Sequence, residues 1–352
     1  MALRPSAPST RRRLAARAGG VGSVAAAALL LVTGCSVLNG GNGSSSDSSG
    51  PNSAGLEKPN ITVAAQPFVD AAPLYIAQQK GYFKQVGLNV KIVSLPSATV
   101  IIPKVADGSI DIGEGNFDSV ISAQYKKVAD FKFVGIASAG KPGAVEVLAM
   151  PNSGITNAQG LGGKTVATNT QSDVLFAALE ADLQAANVPL DSVKFTTITH
   201  ANIPQAIGTG QVPAGLLVQP YLAEAARQYG ARPAVDVFSG PTNGLPYNSY
   251  FALGKMTQQD PKTVAAFDKA LAMGAADATS NRKDVENILP TYTNVDPTIA
   301  SLISEPTFPP SLSAKQVQRD ADLMTEFNIS FNTKFDAGAM CWVPPGTNTS
   351  GN

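Results

Sequence analysis

From Asn60 onward, short apolar runs alternate with stretches whose apolar residues recur at helical spacing, and this alternation predicts an α/β chain. Residues 61–65 form a first strand; Pro73 then suits the first position of a helix that Gly81 closes. A second strand spans 90–93, Ser97 can cap a helix running to Ala106, and Asp107-Gly108 turns into a strand over 110–112. A strand over 131–137 is followed by Gly140 and Gly143. The same kinds of element then recur: strands over 145–149, 164–167, 193–198 and 216–218, a long helix over 172–186, a short one over 203–207, and a last strand over 250–253. Beyond it the pattern is helical almost to the end. Asp260-Pro261 and Asp296-Pro297 read as caps with a helical first residue, and Ser313 with Gln316 fits a capping box. Ile102-Pro103 followed by Gly108 echoes Ile203-Pro204 followed by Gly210, a weak sign of two similarly built halves.

The first residues follow another rule. Five arginines (Arg4, Arg11, Arg12, Arg13, Arg17) and no acid precede an apolar, small-residue run over 18–32, which reads as a signal peptide covering 1–34. The run is too short, and too rich in Ala and Gly, to span a bilayer comfortably. It ends in Leu31-Val32-Thr33-Gly34-Cys35, which resembles a bacterial lipobox, so Cys35 is expected to carry the acyl chains, palmitate among them, of a lipid anchor. Thr10-Arg11-Arg12-Arg13-Leu14 reads as a generic basic n-region, with a twin-arginine export signal as the alternative. Residues 35–58 are dominated by Ser, Gly and Asn and read as a tether, and 346–352 as a flexible tail. The expected location is therefore the extracytoplasmic face of the cell membrane.

Charge and cysteine narrow the function. Without the first 34 residues the chain holds 21 basic against 26 acidic residues, so no basic surplus remains to bind nucleic acid. With Cys35 modified, only Cys341 is left; no internal disulfide forms, and that thiol reads as buried or tail-packed. One histidine and one late cysteine make no metal cluster, and no nucleophile elbow or phosphate loop occurs, so neither catalysis nor a cofactor is expected.

Four segments carry a family resemblance: residues 72–93 (APLYIAQQKGYFKQVGLNVKIV), 106–120 (ADGSIDIGEGNFDSV), 153–173 (SGITNAQGLGGKTVATNTQSD) and 208–221 (GTGQVPAGLLVQPY). Together they resemble the type II periplasmic solute-binding proteins that serve ABC importers of nitrate, taurine, other sulfonates and thiamine-precursor pyrimidines. Pro213 stands where that family usually has an acid, which removes any contact that acid would make. The resemblance implies two lobes with a small ligand between them: lobe 1 from 59–140 and 246–345, lobe 2 from 141–245, with crossings near 138–143 and 241–247. It also implies a monomer that meets permease subunits in the membrane. A sensor or envelope lipoprotein without transport is the main alternative. A related fold makes the thiamine pyrimidine with cysteine-rich and histidine motifs, which this chain lacks.

In open α/β sheets, ligands bind beyond the carboxyl ends of strands, where helix N-termini expose N–H groups. In lobe 1 this selects Gln66, Phe68, Ser97, Asn116 and Phe117, with Ser138 at the first crossing and Tyr247 and Asn248 near the return. In lobe 2 it selects Asn169, Thr170, Gln171 and Ser172 before the long helix, then His200, Gln219 and Tyr221. The 169–172 loop is expected to turn its amides and the positive end of that helix toward an anionic head or a polar ring edge. Glu114 and Asp118 read as caps or solvated groups. No arginine occurs between Arg17 and Arg227, so a guanidinium fork for dicarboxylates or amino acids is missing; neutral or singly anionic ligands such as sulfonates or pyrimidines fit better.

Overall fold

The computed structural model describes residues 55–330 and 335–344; the expected signal peptide, Cys35, most of the tether and the 346–352 tail lie outside them. Ten strands form in chain order: β1 (Asn60–Ala65), β2 (Asn89–Ser94), β3 (Ile112–Asn116), β4 (Phe131–Ala139), β5 (Val145–Ala149), β6 (Thr165–Thr168), β7 (Lys194–Thr197), β8 (Ala214–Val218), β9 (Arg232–Asp236) and β10 (Pro246–Leu253). They make two five-stranded sheets, ordered β2-β1-β3-β10-β4 and β7-β6-β8-β5-β9. In the first, β1 runs parallel to β2 and β3 while β10 is antiparallel to β3 and β4; in the second, β6 runs parallel to β7 and β8 while β5 is antiparallel to β8 and β9. The two sheets therefore share one plan, and each has helices packed on it. The Gly108 and Gly210 echo falls at matching points of that plan, ahead of β3 and β8, and both glycines hold the left-handed backbone that closes a helix (φ 78° and 75°).

The chain leaves the first sheet after Ala139 and returns to it at Pro246. The two connections bond to each other: Gly140 N–H donates to Leu245 O at 2.7 Å and Gly244 N–H to Gly140 O at 3.0 Å. A third segment joins them, because Thr307 and Ala139 exchange both backbone bonds, at 2.9 and 3.0 Å. Near the end, Trp342 N–H donates to Phe133 O at 2.8 Å, which lays the 341–342 segment along the open edge of β4. Cys341 is partly buried there, and burial pushes its thiol up to about 12, so it stays protonated.

Several local expectations shift. The third strand starts at Ile112 rather than 110, and the long helix is Val174–Ala185, capped by Asp173, rather than 172–186. Ser313 and Asp260 make no side-chain cap bond, whereas Asp296 accepts from Thr298 and Ile299 N–H at 2.8 and 3.0 Å. The sequence pattern does not mark β9, nor the helices Phe117–Tyr125 and Tyr221–Tyr229. No helix of the described residues is long and apolar enough to cross a membrane.

The helix Pro261–Ser280 lies against Ala72–Gln79 under the first sheet, and Gly274 is where they touch. A Cβ at Gly274 would stand 2.1 Å from the backbone oxygen of Pro73, which no rotamer change relieves. Gly274→Ala should therefore destabilise the protein by about 1–3 kcal/mol, the usual range for overpacking. Urea unfolding checks this; an unchanged midpoint would show that the two helices are not this close.

Candidate functional site

The carboxyl ends of β1, β3, β6, β7 and β8 and the start of β10 converge on a cavity of ≈ 450 Å³ between the two sheets. Lobe 1 contributes Gln66 and Phe68 after β1, Ser97 before the helix Ala98–Ala106, Asn116 at the end of β3, and Tyr247 and Asn248 from β10. Lobe 2 contributes Asn169, Thr170 and Ser172 after β6, His200 after β7 and Tyr221 after β8. Nine of these eleven residues follow from the strand-end rule and Tyr247 and Asn248 from the expected return crossing, and the structure gathers them around one space.

Four others lie elsewhere. Phe117 is the first residue of its helix and turns beneath the sheet, where it is buried with its ring centroid 4.7 Å from that of Phe133. Ser138 is buried and donates to Asp70 rather than facing the cavity. The Gln219 carbonyl accepts from Ala223 N–H at 3.4 Å inside its own lobe. Gln171 is exposed, because the loop turns before the helix and carries its side chain to solvent. Strand-end reasoning also missed Pro96, Thr99, Ser119, Asp173 and Thr199, which line the cavity. Of these only Asp173 had a legible signal, an acid directly before a helical run.

One wall is aromatic. Phe68 of lobe 1 meets His200 and Tyr221 of lobe 2 edge-on, each at 6.4 Å, and those two rings lie nearly parallel, 6.2 Å apart with 9° between their planes. Tyr247 is tied to Asn116 by a side-chain hydrogen bond. On the rim, Thr170 and Ser172 hydroxyls bond each other at 2.8 Å, and Ser172 N–H donates to Thr170 Oγ1 at 3.2 Å.

The electrostatics reverse the expectation for the long helix. Asp173 Oδ1 accepts from Phe176 N–H at 2.9 Å and its carboxyl also takes Leu175 N–H, while Asp118, reaching across from lobe 1, accepts Val174 N–H. The first amides of that helix are thus occupied by two protein carboxyls and do not await an anionic ligand. Glu114 and Asp118 are also not solvated: both are buried, and Glu114 accepts Gln66 N–H at 2.7 Å. Burial pushes the Glu114, Asp118 and Asp70 carboxyls up, with Asp70 adding to the rise at Glu114 and Asp173 to that at Asp118. Burial holds His200 down at about 4, so its imidazole is neutral at physiological pH. Among the described residues lining this cavity there is no lysine or arginine.

A second cavity of ≈ 500 Å³ lies on the other side of Tyr221, lined by Pro67, Pro220, Glu224, Arg227 and Asp296 among others. Arg227 there already pairs with Asp296 at 3.3 Å. It shares Pro67 after β1 and Pro220 and Tyr221 after β8 but takes nothing from the loops after β3, β6 and β7, so the first cavity is the candidate site.

Buried acids set the pH dependence of stability. Glu146 and Asp182 are pushed up to about 7 and Asp268 to about 6, in each case chiefly by burial. Their folded-state values exceed those of the unfolded chain, so the folded protein holds extra protons between about pH 4 and 7. Stability is then complete below the ordinary carboxylate range and falls as pH rises through 6 and 7. His200 acts in the opposite sense, since the unfolded chain protonates it first, but it is one group against several. The thermal midpoint should be higher at pH 5 than at pH 8; a midpoint that climbs across this interval would contradict the assignment.

Residues 69–284 match the family described as NMT1/THI5 like. Two curated relatives are 4-amino-5-hydroxymethyl-2-methylpyrimidine phosphate synthases. The one from Aspergillus parasiticus is 27% identical over 147 residues, 41% of either chain. The other, from Saccharomyces cerevisiae, is 26% identical over 176 residues, 49% of this chain and 50% of that protein. The chain thus spans about half the length of the curated relatives it matches. Among solved structures, the periplasmic aliphatic sulphonate binding protein SsuA from Escherichia coli superposes with a TM-score of 0.70 at 21% identity, covering 82% of this chain and 94% of that one. The periplasmic nitrate-binding protein NrtA from Synechocystis PCC 6803 gives 0.66 at 13% identity, covering 81% and 85%. These likenesses show the fold, two α/β lobes of the periplasmic-binding-protein kind. The family match extends over more than half of the sequence, and the chain belongs to the NMT1/THI5-like family.

Proposed function

We propose that the protein is the extracytoplasmic solute-binding component of an ABC-type importer, held to the cell membrane by a lipid on Cys35. It captures a small ligand between its lobes and delivers it to permease subunits. The observation that carries this reading is the cavity itself, which takes strand-end residues from both lobes and sits where neither lobe alone encloses it. The sulphonate- and nitrate-binding neighbours share the fold, and the lipobox followed by a Ser/Gly-rich tether suits a domain that must reach a membrane partner. On this reading the protein acts as a monomer, without a cofactor. Neighbouring permease and ATPase genes would separate it from a sensing or envelope lipoprotein.

The curated relatives' names favour a second reading, a pyrimidine phosphate-forming enzyme. Incubating the protein with candidate precursors and looking for that product by mass spectrometry decides between them: the binding reading expects no turnover, and catalytic formation of product would overturn it.

Two further outcomes test the proposal. Cys35→Ser should move the protein from the membrane to the soluble fraction; identical fractionation of the two forms would remove the anchor. Tyr221→Ala should weaken a ring-bearing ligand roughly three- to tenfold by calorimetry, the scale of one lost aromatic contact. Unchanged affinity in a folded variant would place the ligand outside this cavity.

A further inference from the structure

Near its end the chain meets β4 twice, and between the two meetings it reaches over to lobe 2. Thr307 pairs with Ala139 at the end of β4, and Cys341 pairs with Phe133 nearer its start. Both anchors belong to the sheet of lobe 1. Between them stands the helix Ala314–Glu326, which is itself tied to the second anchor: Gln318 Nε2 donates to Phe335 O at 2.9 Å, and Gln318 Oε1 accepts from Ala337 N–H at 2.9 Å. From the same helix Arg319 donates to Pro241 O at 3.0 Å, on the segment that returns from lobe 2. The helix packs both on Phe117–Tyr125 of lobe 1 and on Val174–Ala185 of lobe 2. Its buried residues Val317, Ala321 and Met324 are spaced i, i+4 and i+7, which puts them on one face. That face joins one apolar cluster with Phe117 of lobe 1 and with Val174 and Leu175 of lobe 2.

The turn after this helix carries a second, independent observation. Ser330 holds a left-handed backbone, φ 62°, which a residue with a Cβ adopts at a cost. In that conformation its Oγ donates to the backbone oxygen of Ser172 at 2.7 Å. Ile329 beside it is buried in the same apolar cluster, which seats the turn. Ser172 belongs to the loop that brings Asn169, Thr170 and Asp173 to the cavity. This loop has no regular structure, and within lobe 2 it is braced by the bond between the Thr170 and Ser172 hydroxyls and by the cap of Asp173 on Phe176 N–H. The bond from Ser330 reaches it from a segment anchored on the other lobe. Among the described residues, none of 308–330 lines the cavity.

We infer that Ser330 and the helix Ala314–Glu326 position the ligand loop of lobe 2 from anchors on lobe 1, so that Asn169, Thr170, Ser172 and Asp173 meet the ligand in one place. The inference rests on the reading of this cavity as the ligand site. Ser330 is a positioning residue: it acts through the carbonyl of Ser172 and does not touch the ligand. On that reading the ligand also meets Gln66, Ser97 and Asn116 of lobe 1. A loop braced by lobe 2 alone would shift against those three residues whenever the lobes move. A brace fixed to lobe 1 removes that freedom before the ligand arrives, and so lowers the cost of ordering the site on binding.

Three variants test this in the soluble Cys35→Ser form. Ser330→Gly keeps the left-handed backbone and removes only the hydroxyl, while Ser330→Asn tolerates the same backbone and restores a donor. Met324→Ala loosens the helix from both lobes. Each is read by hydrogen–deuterium exchange without ligand and by calorimetry with 4-amino-5-hydroxymethyl-2-methylpyrimidine and ethanesulfonate as probes. In Ser330→Gly, exchange at 172–177 should rise about three- to tenfold while β5 and β8 of the same lobe stay as they are. Whichever probe binds the unsubstituted protein should bind Ser330→Gly about three- to tenfold more weakly. Met324→Ala should act in the same direction at the same segment, and Ser330→Asn should recover most of both losses. Unchanged exchange at 172–177 overturns the inference, and so does raised exchange with unchanged affinity; in both cases the cavity stands as the site. A rise in Ser330→Gly that β5 and β8 share, or no recovery in Ser330→Asn, marks a general loss of stability and overturns the positioning role. Binding of neither probe by the unsubstituted protein defeats the reading of the cavity and the inference with it. Should Met324→Ala not fold, the two serine variants decide.

Discussion

The strand that returns from lobe 2 is the constraint on which the site depends. β10 lies between β3 and β4, paired on both sides, so its backbone has no freedom to slide. Ser249 Oγ donates to Gly115 O at 2.8 Å and pins the register against β3. That register places Asn248 opposite Asn116 and Ser138, at the cavity lining. The same strand begins where the two connections between the lobes bond to each other through Gly140, Gly244 and Leu245. Cavity lining and lobe connection thus meet in one element: a shift in β10 would move Tyr247 and Asn248 together with the paired connections.

A different force holds the lobes against each other. Asp118 of lobe 1 caps the helix Val174–Ala185 of lobe 2, and Asp320, on the helix Ala314–Glu326, is buried beside both acids with two unpartnered oxygens. That helix packs on Phe117–Tyr125 of lobe 1 and on Val174–Ala185 of lobe 2, so it spans the contact. Burial and the neighbouring acids push the Asp320 carboxyl well up, favouring its neutral form while the lobes are together. Separation of the lobes would admit water and relieve that effect. The ring contacts of Phe68 with His200 and Tyr221 add apolar contact between the lobes.

How much of this was legible in the sequence varies with the kind of interaction. Strand positions came through because apolar runs such as Leu216 to Val218 are long enough to mark a buried strand, and a strand's end points to a loop. Hence Gln66, Asn116, Asn169 and His200 are legible as cavity residues from the sequence. Arg232–Asp236 was hidden because an edge strand holding Pro233 and two charges does not look apolar. Phe117 was misplaced by one turn of geometry: the residue after a strand end starts a helix, and its side chain swings under the sheet instead of over it. The buried acids were illegible for a deeper reason. An aspartate such as Asp70 reads as solvated in one dimension, and only the tertiary fold shows that Ser138, far along the chain, supplies its donor. The long helix shows the same limit, since its amides looked open to a ligand until Asp118 arrived from the other lobe.

The central claim is that one small molecule is enclosed by both lobes at the strand ends. Hydrogen–deuterium exchange of the protein with and without saturating 4-amino-5-hydroxymethyl-2-methylpyrimidine tests it most directly. Simultaneous protection of amides at 66–70 and 97–99 in lobe 1 and at 169–176 and 199–203 in lobe 2 is expected, with β10 already protected in both states. Protection confined to one lobe, or centred on the 224–228 and 293–299 segments around Arg227 and Asp296, would contradict it.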